Sequence, residues 1–267
     1  MTAATFERDG VRFAYEVDGE GPPLVLLHGL GGDRTQALAM APALPFHRIA
    51  VDLRRHGDTE PVGGASAYAF GPFADDLAAL LEQVVGKPAV VIGVSMGAGV
   101  ALRFALMHPG RVTRLVLVRP AWTNQPMTPN LVVFTEIAHL LRTCGPDDGL
   151  KAFKASLSYE AFRRRSRYCA ATLCEQFAKP KAVARAVRLE QLPRSVPYAS
   201  DAELGGLAVP ALVIGTRNDP LHPTGVARAW ARGLGAGTYR EVVSKTHDRL
   251  AHDEAVRRET GAFLLTK

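Results

Sequence analysis

An apolar run from Ala89 to Val94 passes without a linker into Ser95, and then into a stretch where Ala98, Leu102, Ala105 and Leu106 recur at helical spacing. A short run rich in Val suits a strand covered on both faces, and the three- and four-residue recurrence suits an amphipathic helix. The same alternation appears elsewhere. Leu24 to Leu27, Ile49 to Val51, Leu115 to Val118 and Ala211 to Ile214 are further short apolar runs, while Phe73, Leu77, Leu80, Leu81 and Val84 mark another helix between two of them. Strands that alternate with helices pair in parallel, so a mostly parallel sheet flanked by helices is predicted. Phe6 to Val17 alternates around Asp9-Gly10, which predicts an antiparallel hairpin at the start.

The alternation stops between Trp122 and Leu207. The segments 131–142, 150–156, 159–177 and 181–191 read as helices, punctuated by Pro126, Pro129, Pro146, Pro180, Pro193 and Pro197. Residues 1–121 and 208–267 are therefore expected to form an α/β core, and 122–207 a helical cap inserted after the sixth strand. Parallel sheets bind ligands at the carboxyl ends of their strands, the edge such an insertion would cover.

At 267 residues the chain has room for one large core. No stretch reaches the ~18 apolar residues of a membrane span, and the first residues lack the basic flank and apolar region of a secretion signal. A cytoplasmic location is the default expectation. Cys144, Cys169 and Cys174 form no metal-ligand spacing, so no metal is predicted. The formal charge of +6 is local: residues 151–194 hold eleven Lys or Arg against three Glu. Without a nucleic-acid motif beside it, Arg163-Arg164-Arg165 with Arg167 reads as a solvated helix face. The expected partner is a small-molecule substrate, with neither nucleic acid nor membrane; the oligomeric state is left open.

Gly93-Val94-Ser95-Met96-Gly97 carries the chemistry. A strand that bends straight into a helix forces the residue at the bend into a strained backbone conformation, and glycines two positions either side remove side chains that would collide. Ser95 is then held out at a helix N-terminus, where peptide N–H groups stabilise developing negative charge. A serine hydroxyl needs a base and a group that orients the base. Asp219 follows the Ala211 to Ile214 strand, and His247 follows a predicted last strand, Thr238 to Val243, so these two are taken as acid and base. His222, three residues beyond Asp219, is set aside as base on chain order and kept as a substrate-side residue; His252 falls inside the last helix. The glycine-rich turn His28-Gly29-Leu30-Gly31-Gly32 follows the Leu24 strand, which makes the N–H groups of Leu30 and Met96 the expected oxyanion donors. Gly29, His28, Trp122, Phe134 and Phe153 are the remaining candidate substrate contacts.

In this order the His28-Gly29 turn, Asp52-Leu53-Arg54-Arg55-His56-Gly57, the Ser95 bend, Asp219 and His247 resemble the α/β-hydrolase superfamily over almost the whole chain. The resemblance implies an eight-stranded sheet, a helical cap between strands six and seven, and no required cofactor. It also implies a serine nucleophile in place of the aspartate of related dehalogenases and epoxide hydrolases. Arg55 stands where many members carry Gly, and Arg119-Pro120-Ala121-Trp122 stands where many carry an Asp after the sixth strand. The expected reaction is cleavage of a small carboxylic ester or lactone through an acyl-enzyme. The same machinery serves carbon–carbon hydrolysis of ring-cleavage products and cofactor-free perhydrolysis, and a slow-turnover ligand sensor of the same fold is the alternative from another class.

Overall fold

The computed structural model describes residues 2–41, 44–61 and 64–266. Its sheet has eight strands: β1 (Thr2–Arg8), β2 (Val11–Asp18), β3 (Pro23–Leu27), β4 (His47–Val51), β5 (Ala89–Val94), β6 (Val112–Val118), β7 (Ala211–Thr216) and β8 (Gly237–Val242). They lie in the order β1-β2-β4-β3-β5-β6-β7-β8. β1 pairs antiparallel with β2 from Thr2 opposite Val17 to Arg8 opposite Val11, and β2 pairs antiparallel with β4. From β4 to β8 every pairing is parallel. The hairpin turn is the two residues Asp9 and Gly10, both left-handed at φ 48° and 69°, which matches the right-handed twist of the strands they join.

Helices α1 (Arg34–Leu38), α2 (Phe70–Leu80), α3 (Met96–Met107), α4 (Val132–Lys154), α5 (Leu157–Arg165), α6 (Arg167–Glu175), α7 (Val187–Gln191), α8 (Asp201–Gly205), α9 (Thr224–Gly233) and α10 (Arg249–Leu265) surround the sheet. Alternate residues of the central strands enter opposite layers. Val25, Leu27, Val91, Leu115, Leu117 and Val213 pack with Leu77, Leu102 and Trp230, from α2, α3 and α9. Leu24, Leu26, Ile92, Val116, Leu212 and Ile214 pack with Ala37 of α1 and Ala255 and Val256 of α10. Burial on both faces is why these strands read as unbroken apolar runs.

Between β6 and β7 the chain carries α4 to α8 and none of the strands. Their boundaries differ from the sequence reading. α4 runs through two of the expected segments but breaks at Gly145, φ 76°, ahead of Pro146. The expected helix 159–177 is two helices, because the Ser166 side chain accepts the N–H of Cys169 and starts α6 afresh. In the 181–191 segment, α-helix begins only at Val187. Among the described residues, no helix is long and apolar enough to cross a membrane.

Candidate active site

β5 ends at Val94 and α3 begins at Met96, so Ser95 alone makes the turn, at φ 54° and ψ −111°. The strain is held by close packing. A Cβ on Gly93 would lie 2.1 Å from the Gly97 carbonyl oxygen, and one on Gly97 would lie 2.4 Å from that of Leu27. The Ser95 N–H donates to the Val118 carbonyl at 2.9 Å, tying the bend to the end of β6. Met96 is the first residue of α3, so its N–H has no acceptor within the helix. Gly29 lies beside it; a Cβ there would be 3.5 Å from the Ser95 Cβ.

His222 Nε2 lies 3.0 Å from Ser95 Oγ, and its Nδ1 lies 2.9 Å from Asp219 Oδ2. This corrects the expectation for the base. His247, expected there, hydrogen-bonds the Asn218 side chain at 3.2 Å from an exposed position in the turn before the last helix. His222 had been set aside on chain order, yet the order serine, acid, histidine is kept, since His222 still follows Asp219. The reason is local. Asp219 Oδ1 accepts the N–H groups of Leu221 and His222, each at 3.1 Å, and the tight turn folds the His222 ring back over the same carboxylate.

Asp219 is almost fully enclosed. Arg119 Nη1 donates to its Oδ2 at 3.1 Å, and the Cys169 thiol donates to Oδ1 at 3.2 Å. Burial alone would favour the neutral acid, but His222 and Arg119 outweigh it and hold the carboxyl far below the usual range. Burial also lowers the His222 pKa, partly opposed by Asp219 and reinforced by Arg119. A buried imidazole kept neutral next to a hydroxyl is equipped to accept its proton. Burial pushes the Cys169 thiol up to about 12, with the Asp219 charge adding to it, so this cysteine serves as a donor and not a nucleophile.

The loops after β3 and β4 frame the other side. His28, expected to touch substrate, is instead fully buried: Nδ1 donates to the Gly29 carbonyl at 2.8 Å and Nε2 accepts the Leu53 N–H at 3.0 Å. It fastens one loop to the other. Asp52 accepts the N–H groups of Arg34 and Asp58, and the side chain of Arg34 joins it to Glu16 and Asp58. Gly57 is required here, because a Cβ would fall 2.0 Å from Asp52 Oδ2. Arg55 takes φ 58°, a conformation that favours glycine, while its guanidinium lies 4.5 Å from the Tyr68 ring centroid and bonds the Ala184 carbonyl at 2.8 Å. Trp122 and Phe153, also expected as contacts, are packed into the core, as is Phe134. Trp122 donates to the Leu192 carbonyl and stacks edge-on to Phe70; Phe153 packs against Tyr159 and Phe177.

Residues 22–136 match the family model of the α/β-hydrolase fold. A hydrolase from Pseudomonas aeruginosa PA01 superposes with a TM-score of 0.74 at 21% identity, covering 99% of this chain and 98% of the other. The enol-lactonase from Burkholderia xenovorans LB400 gives 0.74 at 23% identity, covering 98% and 100%. Among curated proteins, ethanol acetyltransferase 1 of Eremothecium cymbalariae is 36% identical over 119 residues, 43% of this chain and 32% of the relative. Matched stretches span between 32% and 44% of the length of the first such relatives. A bend of this kind on this strand order defines an α/β-hydrolase architecture. The chain has the α/β-hydrolase fold, and residues 22–136 carry that family's sequence pattern.

Proposed function

We propose that the protein is a serine hydrolase that cleaves a small carboxylic ester or lactone through an acyl-enzyme. The observation that carries this reading is the hydrogen-bonded series Ser95 Oγ, His222 Nε2, His222 Nδ1, Asp219 Oδ2, with the hydroxyl on a strained bend at a helix N-terminus. His222 takes the Ser95 proton as the oxygen attacks the carbonyl carbon. Asp219 fixes the tautomer and stabilises the imidazolium that forms. The N–H groups of Met96 and Leu30 receive the oxyanion, and His222 returns its proton to the leaving alcohol. A water molecule, deprotonated by the same imidazole, then releases the acid.

The segment 122–207 acts in this reading as a cap over the strand ends. Its support is that α6 and the residues flanking it touch the reactive loops at three points. Ser166 Oγ lies 2.7 Å from Thr246 Oγ1, Cys169 bonds Asp219, and the Gln176 amide donates to the Leu30 carbonyl at 3.4 Å. The names of a solved neighbour, an enol-lactonase, and of an esterase from Thermogutta terrifontis favour an oxygen ester as substrate. The test is turnover of p-nitrophenyl esters and lactones by pure protein, with fluorophosphonate labelling mapped by mass spectrometry. Multiple turnovers abolished by a label on Ser95 are expected. A panel of acyl esters, lactones and thioesters left untouched would defeat the reading in favour of carbon–carbon hydrolysis or ligand sensing.

A further inference from the structure

A cavity of about 510 Å³ opens between the β3 and β4 loops and the helical segment, lined among others by Gly31, Gly32, Lys179, Lys181, Arg185 and Arg188. Most charges on its wall are already matched. Glu60 is shared by Lys181 at 2.9 Å and Arg185 at 2.7 Å. Arg34, also on the wall, is held by Glu16, Asp52 and Asp58, and the Asp33 carboxylate caps α1. Arg188 is different. It is 3% exposed, its Nη1 donates to the Arg55 carbonyl at 2.7 Å, and its Nε has no partner. Among the described residues, no carboxylate is paired with Arg188 or with the neighbouring Lys179.

A guanidinium removed from water without an anion is costly, and native proteins rarely tolerate it without a compensating ligand. Burial, with Arg185 and Arg55 close by, pulls the Arg188 pKa down to about 9. The buried His56 ring adds no negative charge: its Nε2 is also unpartnered, and burial together with Arg188 keeps it neutral. An incoming oxyanion would supply the counter-charge that Arg188 lacks. A planar carboxylate or a phosphate suits the fork of a guanidinium.

We propose that this cavity is a binding site for a small oxyanion group, a carboxylate or phosphate, with Arg188 as its charge partner and Lys179 at its rim. Gly31 and Gly32 form part of the wall and directly follow Leu30, so the site adjoins the loop proposed to hold the reacting carbonyl. An ester or lactone bearing a free carboxylate would then reach both; that extension rests on the hydrolase reading, whereas the anion site does not.

Calorimetric titration of the full chain with succinate, inorganic phosphate and neutral succinamide, against sodium chloride at equal ionic strength, tests it. Saturable binding of succinate or phosphate, and none of succinamide, is expected. Arg188→Gln should weaken it by about tenfold or more, as loss of a buried charge partner does. Lys179→Ala, at a half-buried position that leaves the fold undisturbed, should weaken it by about two- to fivefold. Wild-type protein that responds to neither anion beyond chloride would overturn the proposal, as would two folded variants that bind like wild type. Two sources of the group are then separated with the p-nitrophenyl monoester of succinic acid and its methyl diester. A KM raised by Arg188→Gln for the acid alone assigns the anion to the substrate, and equal KM changes with succinate binding lost assign it to a separate ligand. Succinate binding without any ester turnover would leave the anion site standing and remove the hydrolase reading.

Discussion

His222 Nε2 stands 3.0 Å from Ser95 Oγ, although the two residues are 127 positions apart. The imidazole that meets the hydroxyl therefore comes from the loop after β7, three residues beyond the carboxylate that orients it.

Substitution separates the two histidines. His222→Ala and Ser95→Ala should each lower kcat for an aryl ester by about 10³-fold or more, the range seen when one member of such a relay is lost. His247→Ala should retain activity within about threefold, because its ring is exposed and bonds only Asn218 among the described residues. Steady-state kinetics of the three variants decides the matter. Loss of turnover in His247→Ala with full activity in His222→Ala would reverse the assignment.

The acidic limb of the pH profile follows from the enclosure of His222. Burial first, and Arg119 after it, lower the His222 pKa below its ordinary 6.5. In the proposed mechanism the neutral imidazole is the active form, so kcat/KM should rise with pH along a limb whose midpoint lies below 6.5 and be level above it. Arg119→Gln removes a cation that disfavours the imidazolium, so the midpoint should move to higher pH. The rate of fluorophosphonate labelling, measured across pH 4 to 8, should shift in the same direction.

Gly97→Ala would press a methyl group to 2.4 Å from the Leu27 carbonyl oxygen, against backbone that cannot swing aside. A loss of about 1–3 kcal/mol of stability is expected from such overpacking. Turnover should fall further than stability accounts for, because the bend at Ser95 is displaced. Urea unfolding and kcat on the same preparation measure both.

Acid stability should depend on His252. Burial, then Arg119, lowers its pKa to about 4, while its Nδ1–H donates to the Val243 carbonyl at 2.7 Å. The unfolded chain takes up the proton near the ordinary value of 6.5. For a group with a depressed folded pKa, stability is complete above 6.5 and is lost as pH falls toward 4. His252→Asn keeps a donor for the carbonyl and cannot titrate, so its melting temperature should fall less steeply over that range.

The sheet was legible because its central strands are apolar on both faces, and a continuous run such as Ala89 to Val94 leaves little choice of assignment. Ser95 was legible for a related reason: the glycines two residues away are demanded by backbone contacts that any such bend makes. The helical segment was harder. A serine at position 166 reads as an ordinary helix residue until its side chain is seen capping α6. His222 was kept near the site but passed over as base, on chain order and because His247, after its own strand, looked better placed. The signal was present in Asp219-Pro220-Leu221-His222, where an aspartate that binds the N–H groups two and three residues ahead brings the fourth side chain beside itself. Arg119 was read as the loss of an acid. Its pairing with Asp219, 100 residues away, exists only in the folded chain.

The turn that carries both Asp219 and His222 changes what the carboxyl-terminal part of the molecule has to do. Where acid and base come from two loops, each must be aligned against the other every time the chain folds. Here their spacing is set by four consecutive residues. The connection from β8 to α10 contributes no member of the hydrogen-bonded series and acts on it only from outside, through the charge of Lys245 near His222 and through Thr246, which bonds the Asn218 carbonyl.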